Sequence, residues 1–274
     1  MKAAVIGHVE WVDFVRVDTL PGPGDIVQAS ETWSEAAGAG AVASVQLANL
    51  GADTSFYTTV GDDELGRRSR EELEGRGVRV HAAAVGPMRR AFTHIDQTGE
   101  RTITVLGEKF RPGGDDESFP WDELSDYDAV YFVSGDVKAL RRARQARVLV
   151  AAARDLGTIR FGGVQLDALV GSALDAGERY EPDSLDPPPS LVVATSSHLG
   201  GWAQPGGPFE AAPKQGPVHD SYGAGDCFAA GLTFALARGD DYKDALALAA
   251  RCGATVVTGK GPYGRQLREE DLVG

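Results

Sequence analysis

A run of small residues near the carboxyl end of the chain leads directly into an apolar stretch. The segment Asp220 to Asp226 reads Asp-Ser-Tyr-Gly-Ala-Gly-Asp, and few polar side chains follow between Cys227 and Ala237. Glycine allows a tight backbone turn, and an apolar run of this length is typical of a buried helix. The pattern therefore predicts a loop that turns into a buried helix.

The start of such a helix is suited to bind an anion. Backbone amides in the first turn have no partner within the helix, and the partial positive charge there attracts phosphate. Gly223, Ala224 and Gly225 would supply these amides, and Asp226 lies beside them. A carboxylate in this position can accept a proton next to a phosphate. The simpler interpretation is a glycine loop with Asp226 as a helix cap, and spacing alone does not separate the two.

Composition limits the classes of function. The chain has 274 residues, 42% of them hydrophobic, and a net charge of −13. Nucleic-acid-binding proteins usually carry a basic face, so we expect no nucleic-acid partner. No apolar segment has transmembrane length and none resembles a signal peptide, so we expect no membrane partner. The two cysteines, Cys227 and Cys252, fall in apolar segments, and their scarcity is typical of a cytoplasmic protein.

Strands and helices alternate along most of the chain, which predicts an α/β fold with a mainly parallel sheet. Two hairpin-like segments, at about 10–33 and 89–107, interrupt this alternation. With no repeat or long linker to divide it, we expect residues 1–274 to form a single domain. We also predict a helix over 137–155 and a short strand over 158–161.

The segment from Asp220 to Asp226 resembles the Asp-Thr-x-Gly-Ala-Gly-Asp signature of the ribokinase-like carbohydrate kinases, with Ser221 in place of threonine. Residues 49–52 and 60–66 resemble two further conserved segments of that family. The resemblance implies a ribokinase-like three-layer αβα fold with a mainly parallel central sheet. It also implies a small β-sheet lid, formed here by the two hairpin-like segments.

The same resemblance implies an ATP-dependent phosphotransferase that moves the γ-phosphate of ATP to a hydroxyl of a small sugar or nucleoside. Asp226 would be the general base, and the amides of Gly223, Ala224 and Gly225 would form the anion hole. A homodimer formed through the lid is also implied.

An acceptor site is implied at Asp13, Gly38, Gly40 and Val42. Asp13 would bind substrate hydroxyls, and the two glycines would let the substrate approach the backbone. Val42 stands where the family has asparagine, so one contact to a sugar hydroxyl is missing. The glycines also partly match a dinucleotide fingerprint, which makes an oxidoreductase a weaker alternative because no third glycine follows.

The resemblance also implies residues that bind ATP and cations. The ATP-binding residues would be Ser172, Thr195, Ser197, Gly200, Gly225 and Ala250. Asp175 would organise Mg²⁺ through water, with Glu178 as a second acidic candidate. A monovalent cation such as K⁺ would bind near Asp220 and Tyr222.

Four positions depart from the family pattern, namely Val42, Ser172, Asp175 and Ser197. They motivate an alternative function, a catalytically impaired nucleotide- or sugar-binding sensor with the same fold. The complete 223–226 segment favours the kinase. The residues do not choose between a sugar and a nucleoside.

Overall fold

The structure, a computed structural model, describes residues 1–272, which contain two β-sheets, six α-helices and several short 3-10 helices. The strands are β1 (Lys2–Ile6), β2 (Glu10–Arg16), β3 (Glu31–Ala37), β4 (Asp53–Val60), β5 (Val78–Ala84), β6 (Arg90–Ile95), β7 (Arg101–Leu106), β8 (Ala129–Phe132), β9 (Val148–Ala152), β10 (Ala168–Ser172), β11 (Val192–Thr195), β12 (Gly201–Gln204) and β13 (Gly207–Phe209). The helices are α1 (Ala39–Asn49), α2 (Glu64–Gly75), α3 (Val137–Ala143), α4 (Leu156–Gly162), α5 (Ala224–Arg238) and α6 (Tyr242–Val256).

The larger sheet has nine strands in the order β13-β12-β11-β10-β9-β8-β1-β4-β5. The seven strands from β11 to β5 pair in parallel, and β12 and β13 add an antiparallel hairpin at one edge. Parallel strands all end at the same edge of a sheet, and ligands of open α/β folds bind beyond that edge. The topology therefore fixes where a site should be sought.

Helices cover both faces of this sheet. On β1, Ala3 and Val5 belong to a core with α1, α5 and α6, whereas Ala4 and Ile6 belong to a second core with α3 and α4. This is the alternation expected of a strand buried on both sides. The predicted three-layer αβα fold with a mainly parallel sheet is confirmed.

The smaller sheet has four strands in the order β3-β2-β6-β7 and extends from the carboxyl edge of the larger one. Its strands fall within the two predicted hairpin-like segments, except that β3 continues to Ala37. Phe14 on β2 stacks on Trp33, with ring centroids 4.8 Å apart, and contacts the ring of Tyr222 edge-on at 5.0 Å. The small sheet thus packs against the loop that precedes α5.

The helix predicted over 137–155 is wrong. Helix α3 ends at Ala143, and the apolar residues from Val148 to Ala152 form β9, a strand in the middle of the large sheet with all five residues buried. The predicted strand over 158–161 is also wrong, because these residues lie in α4. The correction matters because it places Arg154 just beyond the carboxyl end of a central strand.

Candidate active site

Polar residues from several strands meet beyond the carboxyl edge of the large sheet. His8 follows β1, Arg154 follows β9, and Ser172 and Thr195 end β10 and β11. Helix α5 begins at the same edge, because a carboxylate oxygen of Asp226 in its first turn lies 3.7 Å from Nη2 of Arg154.

The first turn of α5 offers unpaired amides. The first bond of the helix runs from the amide of Cys227 to the carbonyl of Gly223. Within residues 1–272, the amides of Ala224, Gly225 and Asp226 donate to no protein acceptor. Gly225 is exposed, and a Cβ added there would have no heavy atom within 4 Å. The predicted anion-binding residues therefore surround open space at a helix N-terminus, which fits a phosphate.

Gly223 has a different role from Gly225. Its φ of 80° lies in the left-handed region, and a Cβ there would come within 2.9 Å of Cγ1 of Val42. Val42 is fully buried in α1. A side chain at position 223 would therefore force the loop away from α1 and move the amides that follow.

Asp226 lies at the border between the protein and this open space. Its side chain is 13% exposed, and its Oδ1 atom is buried without a hydrogen-bond partner. Asp226 in turn raises the pKa of Arg154, the nearest cation. The carboxylate is neither sealed in the core nor used as a helix cap.

Glu178 is the second carboxylate of the site. Its Oε2 accepts a 2.9 Å hydrogen bond from the amide of Ser172, and its Oε1 lies 3.5 Å from Nε of Arg154. Asp175, by contrast, is exposed and accepts a 2.8 Å bond from the amide of Gly177. Arg154 therefore connects Asp226 with Glu178, and Asp175 is not part of this group. Of the two acidic candidates for Mg²⁺, Glu178 is therefore the one that shares Arg154 with Asp226.

Ser172 and Thr195 are paired on neighbouring strands at the predicted nucleotide side of the edge. The Thr195 hydroxyl donates to the carbonyl of Gly171 at 3.3 Å, and the Ser172 hydroxyl accepts from the amide of Leu174 at 3.2 Å. Both hydroxyls keep capacity for a further hydrogen bond. The structure thus brings these two predicted residues together.

The other predicted nucleotide residues lie further along the chain. Ser197 is exposed with a φ of 53°. Gly200 has a φ of 86°, and a Cβ there would come within 2.1 Å of the carbonyl oxygen of Phe209, so the hairpin itself requires glycine. Ala250 is buried in the core formed with α5. The packing of the protein alone explains Gly200 and Ala250.

On the other side of Asp226, Gly38 contacts two residues that the sequence did not single out. A Cβ added to Gly38 would come within 3.2 Å of Cγ of Glu10 and 3.3 Å of Cδ2 of His8. Glu10 is 7% exposed and lies 3.0 Å from Nε of Arg89. Burial raises the pKa of Glu10, and the negative charge of Asp226 raises it further. The charge of Asp226 therefore acts on Glu10.

Asp13 lies on the opposite face of β2 from Glu10. Side chains alternate along a strand, so Glu10 and Phe14 share one face while Asp13 points to the other. There its carboxylate accepts a 2.6 Å hydrogen bond from Ser34 and forms a 2.6 Å ion pair with Arg90. The structure does not bring Asp13 together with Asp226.

Gly40 serves the packing of α1. A Cβ there would come within 2.7 Å of the ring of Phe56 and 2.9 Å of the carbonyl of His8. The glycine is thus explained by close contact between α1 and the sheet, and the dinucleotide-binding alternative gains no support from it.

Asp220 and Tyr222 tie the loop to its surroundings. Asp220 is fully buried, and its carboxylate accepts hydrogen bonds from the amides of Tyr222 (3.1 Å) and Gly261 (2.8 Å). The hydroxyl of Tyr222 accepts a 3.2 Å hydrogen bond from the amide of Gly38. These contacts join the α5 loop to the chain after α6 and to the start of α1.

Sequence reasoning missed several ionisable residues near Gly38 and Asp226. They are His8, Glu10, Arg89, Lys109, Arg111 and Arg154. Alternation along β2 could have separated Glu10 from Asp13, but the others lie in connections or beyond a strand that was predicted as a helix.

Similarity to known proteins agrees with this geometry. Residues 1–182 and 190–267 match the family described as pfkB family carbohydrate kinase. The chain is 28% identical to an ATP-dependent ribose-1-phosphate kinase from Halopiger xanaduensis, covering 93% of this chain and 91% of the relative. It is 27% identical to an aminoimidazole riboside kinase from Salmonella typhimurium, covering 82% of each.

Its fold is similar to the crystal structure of a ribokinase from Thermotoga maritima, with a TM-score of 0.77, 19% identity and coverage of 99% of this chain and 97% of that one. None of the helices within residues 1–272 has the length and hydropathy needed to span a membrane. The family match covers nearly the whole chain. The chain belongs to the pfkB family of carbohydrate kinases and is a carbohydrate or nucleoside kinase.

Proposed function

We propose that this chain moves the γ-phosphate of ATP to a hydroxyl of a small sugar or nucleoside, with Asp226 as the general base. The observation that carries the proposal is the buried Oδ1 of Asp226, which has Arg154 3.7 Å away but accepts no hydrogen bond, beside the free amides of the first turn of α5. A buried polar atom without a partner is costly, so a bound molecule is expected to satisfy it.

In the proposed reaction, the acceptor hydroxyl lies against Asp226 and gives up its proton as its oxygen attacks the γ-phosphorus. The amides of Ala224 and Gly225 hold the oxygens of the phosphoryl group in transit. Arg154 lies between Asp226 and Glu178 and balances negative charge at the same point. Phosphoryl transfer depends mainly on positioning and charge stabilisation, which this arrangement provides.

Cations complete the proposal. Mg²⁺, when bound, would neutralise charge on the nucleotide phosphates, and we propose that Glu178, with Ser172 nearby, holds it through water in place of Asp175. Activation by K⁺ near Asp220 and Tyr222 stays a prediction. Both polar groups already accept backbone hydrogen bonds, which leaves fewer oxygens for an ion.

We also propose that two copies of the chain pair through the small sheet. Sedimentation velocity of the purified protein would test this by distinguishing a dimer from a monomer. Strand β7 is an edge strand whose six residues are all exposed, among them the apolar Ile103, Val105 and Leu106. Exposed apolar edge strands favour pairing with another chain.

A cytoplasmic location, the expectation from the sequence, agrees with two buried free cysteines, Cys227 and Cys252.

The variant Asp226→Asn tests the function. It keeps the shape of the side chain but removes the base, so we expect kcat to fall by about 10²–10⁴-fold in an assay of ADP release across a panel of sugars, sugar phosphates and nucleosides. Binding of ATP, measured by calorimetry, should change little.

Asp244→Asn is a matched control, because Asp244 is the third residue of α6 as Asp226 is the third residue of α5. If both substitutions leave kcat near the wild-type value, Asp226 only favours the helix terminus and the assignment fails. Binding of sugars and ATP without turnover by the wild-type protein would instead indicate the sensor.

A further inference from the structure

The turn between β6 and β7 is held in one shape by its own hydrogen bonds. The carboxylate of Asp96 accepts from the amide of Thr98 at 2.8 Å, from the hydroxyl of Thr98 at 2.6 Å and from the amide of Glu100 at 3.1 Å. Gly99, at the tip, has a φ of 84°, a conformation that favours glycine. Bonds from an aspartate to the backbone that follows it fix the shape of such a turn.

The tip of this turn contacts the loop that leads into α5. The amide of Ser221 donates a 2.9 Å hydrogen bond to the carbonyl of Gly99. Arg101, the first residue of β7, donates from Nη1 to the Ser221 hydroxyl at 3.0 Å, and this hydroxyl donates to the carboxylate of Glu100 at 3.4 Å. The amide and the hydroxyl of Ser221 are therefore both bound by the small sheet.

The turn approaches the loop too closely for a side chain at its tip. A Cβ added to Gly99 would come within 3.0 Å of Cγ1 of Val218 and 3.2 Å of the carbonyl oxygen of His219. Both of these residues lie just before Ser221 in the loop. Packing against the loop, as well as the positive φ, therefore requires glycine at position 99.

The rest of the protein holds the other side of the same loop. The amide of His219 donates to the carbonyl of Val257 at 2.7 Å, and the buried carboxylate of Asp220 accepts from the amide of Gly261 at 2.8 Å. Ser221 differs, because within residues 1–272 its amide and hydroxyl bond only to the small sheet. The position of Ser221 therefore depends on where the turn lies.

Ser221 is close in sequence to the free amides at the start of α5. Only Tyr222 and Gly223 separate it from Ala224, and consecutive Cα atoms are about 3.8 Å apart. A shift of Ser221 would therefore move the amides of Ala224 and Gly225. A misplacement of about 1 Å at a reacting group can cost about 100-fold in rate, so a small shift is enough to affect catalysis.

We propose that Arg101 and Gly99 are positioning residues for the phosphoryl transfer, because they hold Ser221 and, through it, the amides of Ala224 and Gly225. The inference rests on the proposed kinase function. Each residue acts through Ser221 and not by contact with ATP or the acceptor. The small sheet thus contributes to the transfer step itself as well as covering the acceptor.

A double-mutant cycle tests this route. Arg101→Gln and Ser221→Ala remove the same 3.0 Å hydrogen bond, so each should lower kcat by about 3- to 10-fold in the assay of ADP release. The double variant should fall no further than the larger single effect, because residues in contact do not act additively. Single effects that multiply in the double variant would overturn the inference. An unchanged kcat with a raised KM for the acceptor would also overturn it, since the contact would then only hold the small sheet.

Arg79→Gln is the matched control for Arg101→Gln. Arg79 lies near the amino end of β5, an edge strand of the large sheet, and its Nη1 donates to the Ser55 hydroxyl at 3.5 Å. The control should leave kcat unchanged. Arg101→Lys keeps a donor and should retain more activity than Arg101→Gln. Melting temperatures of all variants near the wild-type value would show that the fold is intact.

Gly99→Ala tests the packing at the tip. The methyl group would push the turn away from Val218, so we expect kcat to fall by about 10-fold or more. Gly24→Ala is the control, because Gly24 has a φ of 89° in the loop between β2 and β3, and a Cβ there would have no heavy atom within 4 Å. Both variants carry similar backbone strain, but only Gly99 contacts the loop before α5. Equal kcat for the two variants would contradict the role of Gly99.

Hydrogen exchange gives a readout that needs no turnover. The Ser221 amide should exchange faster in Arg101→Gln and in Gly99→Ala than in the wild type, because its acceptor is the carbonyl of Gly99. Arg79→Gln should leave this exchange unchanged. Faster exchange in a protein that turns over no acceptor would support the positioning of the loop while the kinase function fails. Unchanged exchange at Ser221 in both variants would overturn the inference and leave the kinase function standing.

Discussion

The substitution Gly225→Ala separates catalysis from folding at the first turn of α5. Gly225 is the second residue of the helix, and a Cβ there would meet no protein atom within 4 Å. Alanine favours a helix over glycine by up to about 1 kcal/mol, so the variant should fold at least as well as the wild type. For a chain of this size that gain raises Tm by up to about 4 °C.

Activity should change in the opposite direction. Cα–Cβ bonds tilt toward the N-terminus of a helix, so the new methyl group would occupy the space where the phosphoryl oxygens meet the amides. A displacement of about 1 Å in a reacting group can cost about 100-fold in rate, equivalent to about 2.7 kcal/mol. We therefore expect kcat/KM to fall by about 100-fold or more in a coupled assay of ADP release, while thermal unfolding shows an unchanged or higher Tm.

Gly75→Ala provides the control for this experiment. Gly75 ends α2 with an ordinary φ, and a Cβ there also has no neighbour within 4 Å. It should leave kcat/KM unchanged. Turnover by Gly225→Ala within about threefold of the wild type would refute the idea that these amides hold the phosphoryl group, since the cradle would then tolerate a methyl group.

Two further substitutions examine the neighbours of this turn. Glu178→Gln should lower kcat/KM for ATP by about 10-fold or more and raise the Mg²⁺ concentration required for activity. Asp175→Asn should keep kcat/KM within about threefold of the wild type. If Asp175→Asn has the larger effect, the metal role returns to Asp175. Tyr222→Phe leaves the buried amide of Gly38 without an acceptor, so it should lower the free energy of unfolding by about 1–3 kcal/mol and the Tm by several degrees. Tyr242→Phe is the control and should leave the Tm unchanged, because the Tyr242 hydroxyl makes no hydrogen bond within residues 1–272. An unchanged Tm for Tyr222→Phe would show that water replaces the hydroxyl.

The parts of the fold that depend on local pattern could be predicted from the sequence. The helix after the glycine loop follows from the apolar run and from the turn residues before it, and the structure forms α5 there. The failure at 137–155 has a physical cause. An apolar run of five residues fits a buried strand as well as a helix, and only its place in the middle of the sheet decides between them.

Because residues 148–152 were not predicted as a strand, the sequence also did not place Arg154 in the site. Arg154 can meet Asp226 only if Val148 to Ala152 form a strand that ends at the shared edge. Lys109 and Arg111 lie in a polar connection whose sequence indicates a loop and nothing more. Such residues gain chemical meaning from the fold, because separate stretches of chain bring their charges near enough to lower the pKa of His8.

The loop before α5 makes structural contacts that its sequence does not reveal. Its resemblance to a kinase signature was interpreted through phosphate chemistry, but its first three residues bind protein. Arg101 on the small sheet donates to the hydroxyl of Ser221 at 3.0 Å, the ring of Phe14 contacts Tyr222, and the Tyr222 hydroxyl accepts from the amide of Gly38. The loop that carries the proposed phosphoryl-binding amides is therefore attached to the small sheet, the proposed lid. A shift of the small sheet on acceptor binding would move these amides as well, because one short loop makes both sets of contacts.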